Sequence, residues 1–152
     1  MATEYTYYSA ADLTTEELRS VVVAALSGSI SADGTVVREG LSTSAHRVDR
    51  GDEAAAPQLF GFAHRVTCRF RFSATRPDLE EHNTALMVGA FLAIADRTGA
   101  DSVLLFNGEE AVLQSVGGEA VFAADWEDWE TLPELSALRV GRRVAQLAQP
   151  LL

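Results

Sequence analysis

The stretch DSVLLFNGEEAVLQSVGGEAVFAADWEDW, residues 101–129, is the most regularly patterned part of the chain and decides the fold. Apolar runs flank Asn107-Gly108 and then Gly117-Gly118. Both dipeptides accept the positive φ angles that tight hairpin turns require. The stretch therefore predicts three consecutive antiparallel strands. Glu109 and Glu110 resemble an acid/base pair, but strand neighbours point to opposite faces, so we interpret this acidic tip as turn architecture.

The rest of the chain supplies further strands and three predicted helices. Thr3–Ser9 alternates like a strand, and the stretch at residues 60–74 does so with an apolar and an arginine-rich face. Thr14 and Glu17 form a capping-box pattern ahead of the first helix. A second helix follows Pro77 with Asp78 as its N-cap, and a third extends from residue 131 to about residue 149.

The segment between the first helix and the arginine-rich strand has weaker signals. Two short strands around residues 38–40 and a polar connection at residues 49–54 are expected there. The whole order predicts a single α+β domain, residues 1–152. We expect a split βαβ or ferredoxin-like antiparallel sheet with helices on one face and an extra C-terminal helix.

Charge limits the classes of partner. The chain has 12 basic residues, all arginine, against 22 acidic residues, which gives a formal net charge of -10. Nucleic acid and anionic membrane surfaces would be repelled, whereas a basic protein would be attracted. No apolar run is long enough to span a bilayer, and no basic, then apolar, leader opens the sequence. A cytoplasmic protein is expected.

No pattern in the sequence indicates a catalytic, metal or cofactor site. Cys68 alternates with apolar residues, which favours a buried and unreactive thiol. Asp78, Glu81 and His82 have helical spacing suited to a metal, but acidic residues are common in a first helical turn. No nucleophile elbow or phosphate loop is present. We therefore predict a protein that is not an enzyme and that has no cofactor.

Two groups of residues are candidates for binding a partner. The first is the arginine stripe Arg65, Arg69 and Arg71, which could grip an anion or an acidic partner, or could pair with acids such as Glu109 and Glu119. The second alternates large aromatic and acidic side chains, a combination that protein interfaces use. It consists of Asp125, Trp126, Glu127, Asp128 and Trp129. The alternative is that one or both indoles belong to the core.

Several of these motifs, in this order, resemble a known family. They are Glu4-Tyr5, Phe70-Arg71-Phe72, the helix DLEEHNTALMVGAFLAIADRTGAD, the hairpin VLLFNGEEAVLQ and DWEDW. The sequence resembles the bacterial swarm-inhibition (Sit) immunity-like family, whose members are found beside polymorphic toxins, over about residues 1–129. The resemblance implies a non-catalytic cytoplasmic protein that binds and neutralises a cognate toxin, with no catalytic residues to carry over. Residues 42–59 and the final helix depart from the pattern.

Two other hypotheses remain open. The protein could be a small-ligand-binding domain or an enzymatic α+β domain. In either case the arginine-lined sheet face would be its anion pocket. Alternatively, two copies of the chain could form a homodimer through their sheets.

Overall fold

A single nine-stranded sheet organises the chain in the computed structural model, which describes residues 3–48 and 55–149. The strands are β1 Glu4–Ser9, β2 Ser29–Ile30, β3 Val36–Arg38, β4 Leu41–Arg47, β5 Val66–Phe72, β6 Ser102–Phe106, β7 Glu110–Val116, β8 Glu119–Ala123 and β9 Arg143–Ala145. The helices are α1 Thr15–Leu26, α2 Ala55–Leu59, α3 Glu80–Thr98, α4 Asp128–Thr131 and α5 Pro133–Arg139.

The sheet order is β2-β3-β4-β5-β1-β6-β7-β8-β9, and every pairing except β8 with β9 is antiparallel. The α+β class is confirmed. The split βαβ or ferredoxin-like arrangement is not confirmed, because the N-terminal strand β1 lies at the centre of nine strands and short strands extend both edges. The polar connection predicted at residues 49–54 lies outside the described residues.

The three-strand prediction for residues 101–129 is confirmed. In the first turn Asn107 and Gly108 have φ angles of 51° and 72°, and the N–H of Glu109 donates to the carbonyl of Phe106 at 3.0 Å. In the second turn Gly117 and Gly118 have φ angles of 58° and 86°. A bulge between Leu104 and Leu105 shifts the β6–β7 register, so the two hairpins are not equivalent.

The predicted C-terminal helix is wrong beyond Arg139. The chain turns at Gly141, whose φ of 75° is left-handed, and the N–H of Arg142 donates to the carbonyl of Arg139 at 2.9 Å. Residues 143–145 then form β9, with Val144 opposite Phe122 in parallel register. A left-handed glycine ends an α-helix, and the apolar residues beyond it extend the sheet instead.

The helix starts follow the sequence signals in one case and depart from them in the other. At α1 both halves of the capping box are present, since the N–H of Glu17 donates to Thr14 Oγ1 at 3.1 Å and Glu17 Oε1 accepts from the N–H of Thr14 at 3.0 Å. Asp78 is not an N-cap, because its carboxylate pairs with Arg76 at 3.0 Å. A 3-10 turn at Pro77–Leu79 precedes α3 instead.

Both faces of the sheet carry buried side chains. Helices α1 and α3 cover the face of Tyr7, whose ring packs edge-on against Phe91 of α3 at 5.6 Å. The two long helices α1 and α3 thus lie together on one face, and the short α2, which the sequence did not predict, contacts β6. Tyr8 of β1 lies on the opposite face from Tyr7, because neighbouring strand residues alternate. There His64 packs against Tyr8 at 5.0 Å, and Val103 and Leu105 are buried. The remainder of this second face, over β4 and β5, is polar and open to solvent.

Candidate partner-binding surface

The two tryptophans of DWEDW have different environments. Trp129 on α4 is fully buried, its indole N–H donates to the carbonyl of Val112 at 2.8 Å, and its ring packs edge-on against Phe122 at 5.3 Å. Since the one polar atom of its side chain is satisfied inside the protein, Trp129 belongs to the core. The alternative in which one indole folds inward therefore describes Trp129, which cannot contact a partner in this conformation.

Trp126 lies at the surface end of an aromatic row. Its ring is 4.8 Å from Phe106, and Phe106 packs against Tyr5 at 5.3 Å. The side chain is half-buried, and within the described part of the chain its Nε1 atom is buried without a hydrogen-bond partner. Trp126 is thus packed against the aromatic row and still partly exposed, as a surface anchor residue requires.

Five carboxylates from three separate segments surround this row, and we call them the acidic corner: Glu80, Glu110, Asp125, Glu127 and Asp128. Their proximity is visible at Tyr5, whose pKa is raised first by burial and then by the charges of Asp128, Glu80 and Glu110. Asp125 and Glu127 are exposed and flank Trp126 directly.

No carboxylate of the acidic corner makes a hydrogen bond or an ion pair with any described residue. Partial burial raises the pKa of Asp128, and the neighbouring charge of Glu127 raises it further. Unneutralised like charges in one place are unfavourable for the isolated protein. The corner is therefore electrostatically complementary to a cationic surface outside the chain.

The arginine stripe is largely neutralised. Arg65 pairs with Asp12 at 3.5 Å, and Arg69 pairs with Glu4 at 3.2 Å. The paired interpretation of the stripe is thus correct for these two residues, although Glu109 and Glu119 are not the partners. Arg71 makes no ion pair with a described residue, and it lines a shallow hollow of about 520 Å³ beside the polar sheet face.

The other candidate residues have structural roles in the fold. Cys68 is buried, and burial strongly raises the pKa of its thiol. His82 Nδ1 lies 2.8 Å from Glu134 Oε1, and Glu81 accepts the N–H of Glu134 at 3.0 Å, so both residues hold the start of α5. Over residues 3–48 and 55–149 no group of three or more His, Cys, Asp or Glu side chains is placed to hold a metal ion. No helix in these ranges has the length and apolarity to cross a bilayer.

A groove between α1, α3 and α5 was missed by the sequence reasoning. It has a volume of about 890 Å³, and its floor is the α3 row Ala85, Gly89 and Ala93. The spacing of these small residues, one every fourth position, was the available signal. The sequence pattern of this segment predicts a broadly apolar helix and does not single out this row.

Comparison with known families adds a decisive observation. The sequence profile of the family described as SitI3-like matches residues 3–133. The chain belongs to the SitI3-like family. Membership confirms the resemblance and suggests an immunity-type protein. The match runs from β1 through α4, so most of α5 and all of β9 lie beyond it. No curated protein and no solved structure matches the chain.

Proposed function

We propose that this SitI3-like protein is a non-catalytic, cytoplasmic immunity protein that binds and neutralises a cognate bacterial toxin. The observation that carries the proposal is the acidic corner, whose carboxylates have no cation partner among the described residues. A basic toxin surface would supply the missing charges. Family membership supports the immunity role, and the acidic corner supports the docking surface.

The four surface residues of DWEDW would divide the work of binding. Trp126 is the apolar anchor, because large aromatic side chains contribute most of the binding energy in protein interfaces. Asp125, Glu127 and Asp128 accelerate the encounter and select a basic partner. Trp129 is a positioning residue in this proposal, since it fixes α4 to the sheet from within the core.

The proposal predicts that a neighbouring gene encodes a toxin. It is tested by co-expressing the protein with that gene product and measuring the dissociation constant of the complex. Asp125→Asn with Glu127→Gln should weaken the complex at least ~10-fold, mainly through slower association. Trp126→Ala should weaken it ~10-fold or more through faster dissociation.

A matched control is available for the charge variants. Glu16 on α1 and Asp96 on α3 are exposed and have no partner in the described ranges. Glu16→Gln with Asp96→Asn removes the same charge as the corner variant at another site, and it should leave affinity nearly unchanged. Equal losses for both double variants would mean that only net charge matters and that the acidic corner is not the docking surface.

A second candidate function rests on Arg71, the member of the stripe without an ion pair within the described residues. Its hollow also contains Ser42 and Ser73, whose hydroxyl groups suit an anion. If a small anionic ligand binds there, phosphate should raise the melting temperature. Arg71→Gln should abolish that rise, whereas Arg69→Gln should preserve it. No rise with phosphate or a small carboxylate would remove this candidate.

A further inference from the structure

The groove between α1, α3 and α5 is long enough to hold a helix. Along α3 it runs from His82 to Arg97, which is about four helical turns or about 22 Å. Its walls are apolar, with Val21 and Ala25 on α1 and Leu138 on α5. The floor residues are small and spaced by four, the spacing of the ridges that pack in helix pairs. A row of small residues with this spacing can accept the ridge of a second helix.

Gly89 lies at the middle of the groove floor. It lies inside α3 with an ordinary helical backbone, where glycine is less stable than alanine. A Cβ atom at this position would meet no described atom within 4 Å. No contact within the described chain therefore requires glycine here. Without a side chain at this position another backbone can approach α3 closely, as in helix pairs that meet at small residues.

The ends of the groove carry opposite charges. Arg97 makes no ion pair with a described residue, although it is near enough to help lower the pKa of Glu17, after the stronger effect of the Thr14 hydrogen bonds. The other end carries two acidic residues. Glu134 contacts His82 through its carboxylate, and Glu81 accepts the backbone N–H of Glu134. A helix running antiparallel to α3 would place its first turn at Arg97. Acidic residues are favoured in a first turn and basic residues in a last turn, so such a helix complements both ends.

We infer that this groove binds one amphipathic helix of a protein partner, antiparallel to α3, with small residues against Gly89 and an acidic residue against Arg97. The groove shares no lining residue with the acidic corner. Binding of a helix there is a role additional to the proposed function. Its wall on α5 lies almost wholly outside the matched family region.

The test is a selection of helical peptides, which requires no toxin. A displayed library of ~16-residue amphipathic peptides, long enough to fill the groove, is selected on the whole protein. Enriched peptides should carry small residues at every fourth position and an acidic residue near one end. Gly89→Leu should weaken their binding at least ~10-fold by filling the groove. Arg97→Gln should weaken the binding only of those peptides that carry the acidic residue.

Gly89→Ala separates binding from folding. It should raise the melting temperature, because alanine is the better helix residue, and yet weaken the selected peptides. Ala74→Leu, at an exposed loop position, is the control and should leave peptide binding unchanged. Failure to enrich any peptide that distinguishes the wild type from Gly89→Leu would overturn the inference.

Two further outcomes would assign the groove to another occupant and also overturn it. One is a rise in melting temperature with dodecanoate that Gly89→Leu abolishes, in the absence of selected peptides. The other is a dimer in sedimentation that Gly89→Leu converts to a monomer. Binding of the toxin through the acidic corner would be unaffected by any of these results, so the two proposals fail separately.

Discussion

Trp126 and Trp129 are three positions apart, and only their environments separate an anchor residue from a core residue. Trp129 is fully buried, with its indole N–H bonded at 2.8 Å, whereas Trp126 is half-buried against Phe106. The sequence predicts that this stretch is a candidate for binding a partner, and it leaves open whether one or both indoles belong to the core. Spacing alone could not choose between them, because the short helix α4 sets which ring faces inward.

The first prediction concerns stability at these two positions. Trp129→Ala should reduce the free energy of unfolding by ~3–5 kcal/mol, because it opens a large cavity and leaves the Val112 carbonyl unpaired. Trp126→Ala should cost less, within the ~0.5–3 kcal/mol that is usual for a single substitution. Urea denaturation of both variants measures the difference. Equal losses would mean that the two indoles are packed alike.

The second prediction concerns Asp128. The negative charge that this residue would offer to a partner also destabilises the fold. Burial first, and then Glu127, raise the pKa of Asp128 above its ordinary value, so the folded state holds this proton more tightly than the unfolded state does. Stability therefore falls as pH rises through that window, and the ionised carboxylate opposes folding at neutral pH. Asp128→Asn should raise the melting temperature at about pH 7, and the gain should vanish at about pH 3.

The control for this variant is Asp125→Asn, in the same corner but exposed. It should change the melting temperature little at either pH. If Asp128→Asn lowered the melting temperature at neutral pH, the carboxylate would have a stabilising partner and could not be available to a toxin.

At the scale of elements, the β2–β3 hairpin depends on one aspartate in its turn. Asp33 accepts hydrogen bonds from the Ser31 hydroxyl group and, at 3.0 Å, from the N–H of Thr35. These bonds, with Ser31 first, lower the pKa of Asp33 from its ordinary 3.8 to about 2. The ionised carboxylate is therefore part of the folded turn.

The third prediction follows from that lowered pKa. The stabilisation is present above the ordinary pKa and is lost as pH falls through the folded value. Asp33→Asn should destabilise the protein at about pH 6.5 and progressively less toward about pH 2.5. Denaturation midpoints across this range check the trend, and Ser31→Ala should show the same dependence. A pH-independent difference would show that the charge of Asp33 is irrelevant to the turn.

Element prediction succeeded where local chemistry determined the structure and failed where distant pairing did. The hairpin turns at residues 107–108 and 117–118, the capping box of α1 and the alternation of β5 are all local, and each is confirmed. The C-terminal helix failed at Gly141, because the apolar residues of 143–147 fit either a helix or a strand. Pairing with β8, which is distant in sequence, decided the outcome.

At the scale of the whole molecule, the position of unpaired charges determines where a basic partner can bind, and the net charge of -10 does not. Several arginines are held by acids, among them Arg47 with Asp12 at 2.7 Å and Arg69 with Glu4 at 3.2 Å. The carboxylates of the acidic corner have no such partners within the described ranges. Composition predicts an acidic surface, but only the fold shows where its charge is left unneutralised. The corner could not be assembled from sequence, since Glu80 and Glu110 come from segments far from DWEDW.

The last prediction separates the two proposed surfaces by their kinetics. Association with a basic toxin should slow ~10-fold or more between about 0.05 M and about 0.5 M NaCl, because salt screens the attraction of the acidic corner. Asp125→Asn with Glu127→Gln should flatten this dependence and leave the dissociation rate nearly unchanged. Gly89→Leu should behave oppositely if the same toxin also inserts a helix, since a leucine side chain that fills the groove prevents close packing and speeds dissociation. Stopped-flow association and chase experiments on one complex measure both rates. An association rate that is insensitive to salt would remove the acidic corner as the steering surface, whatever the groove binds.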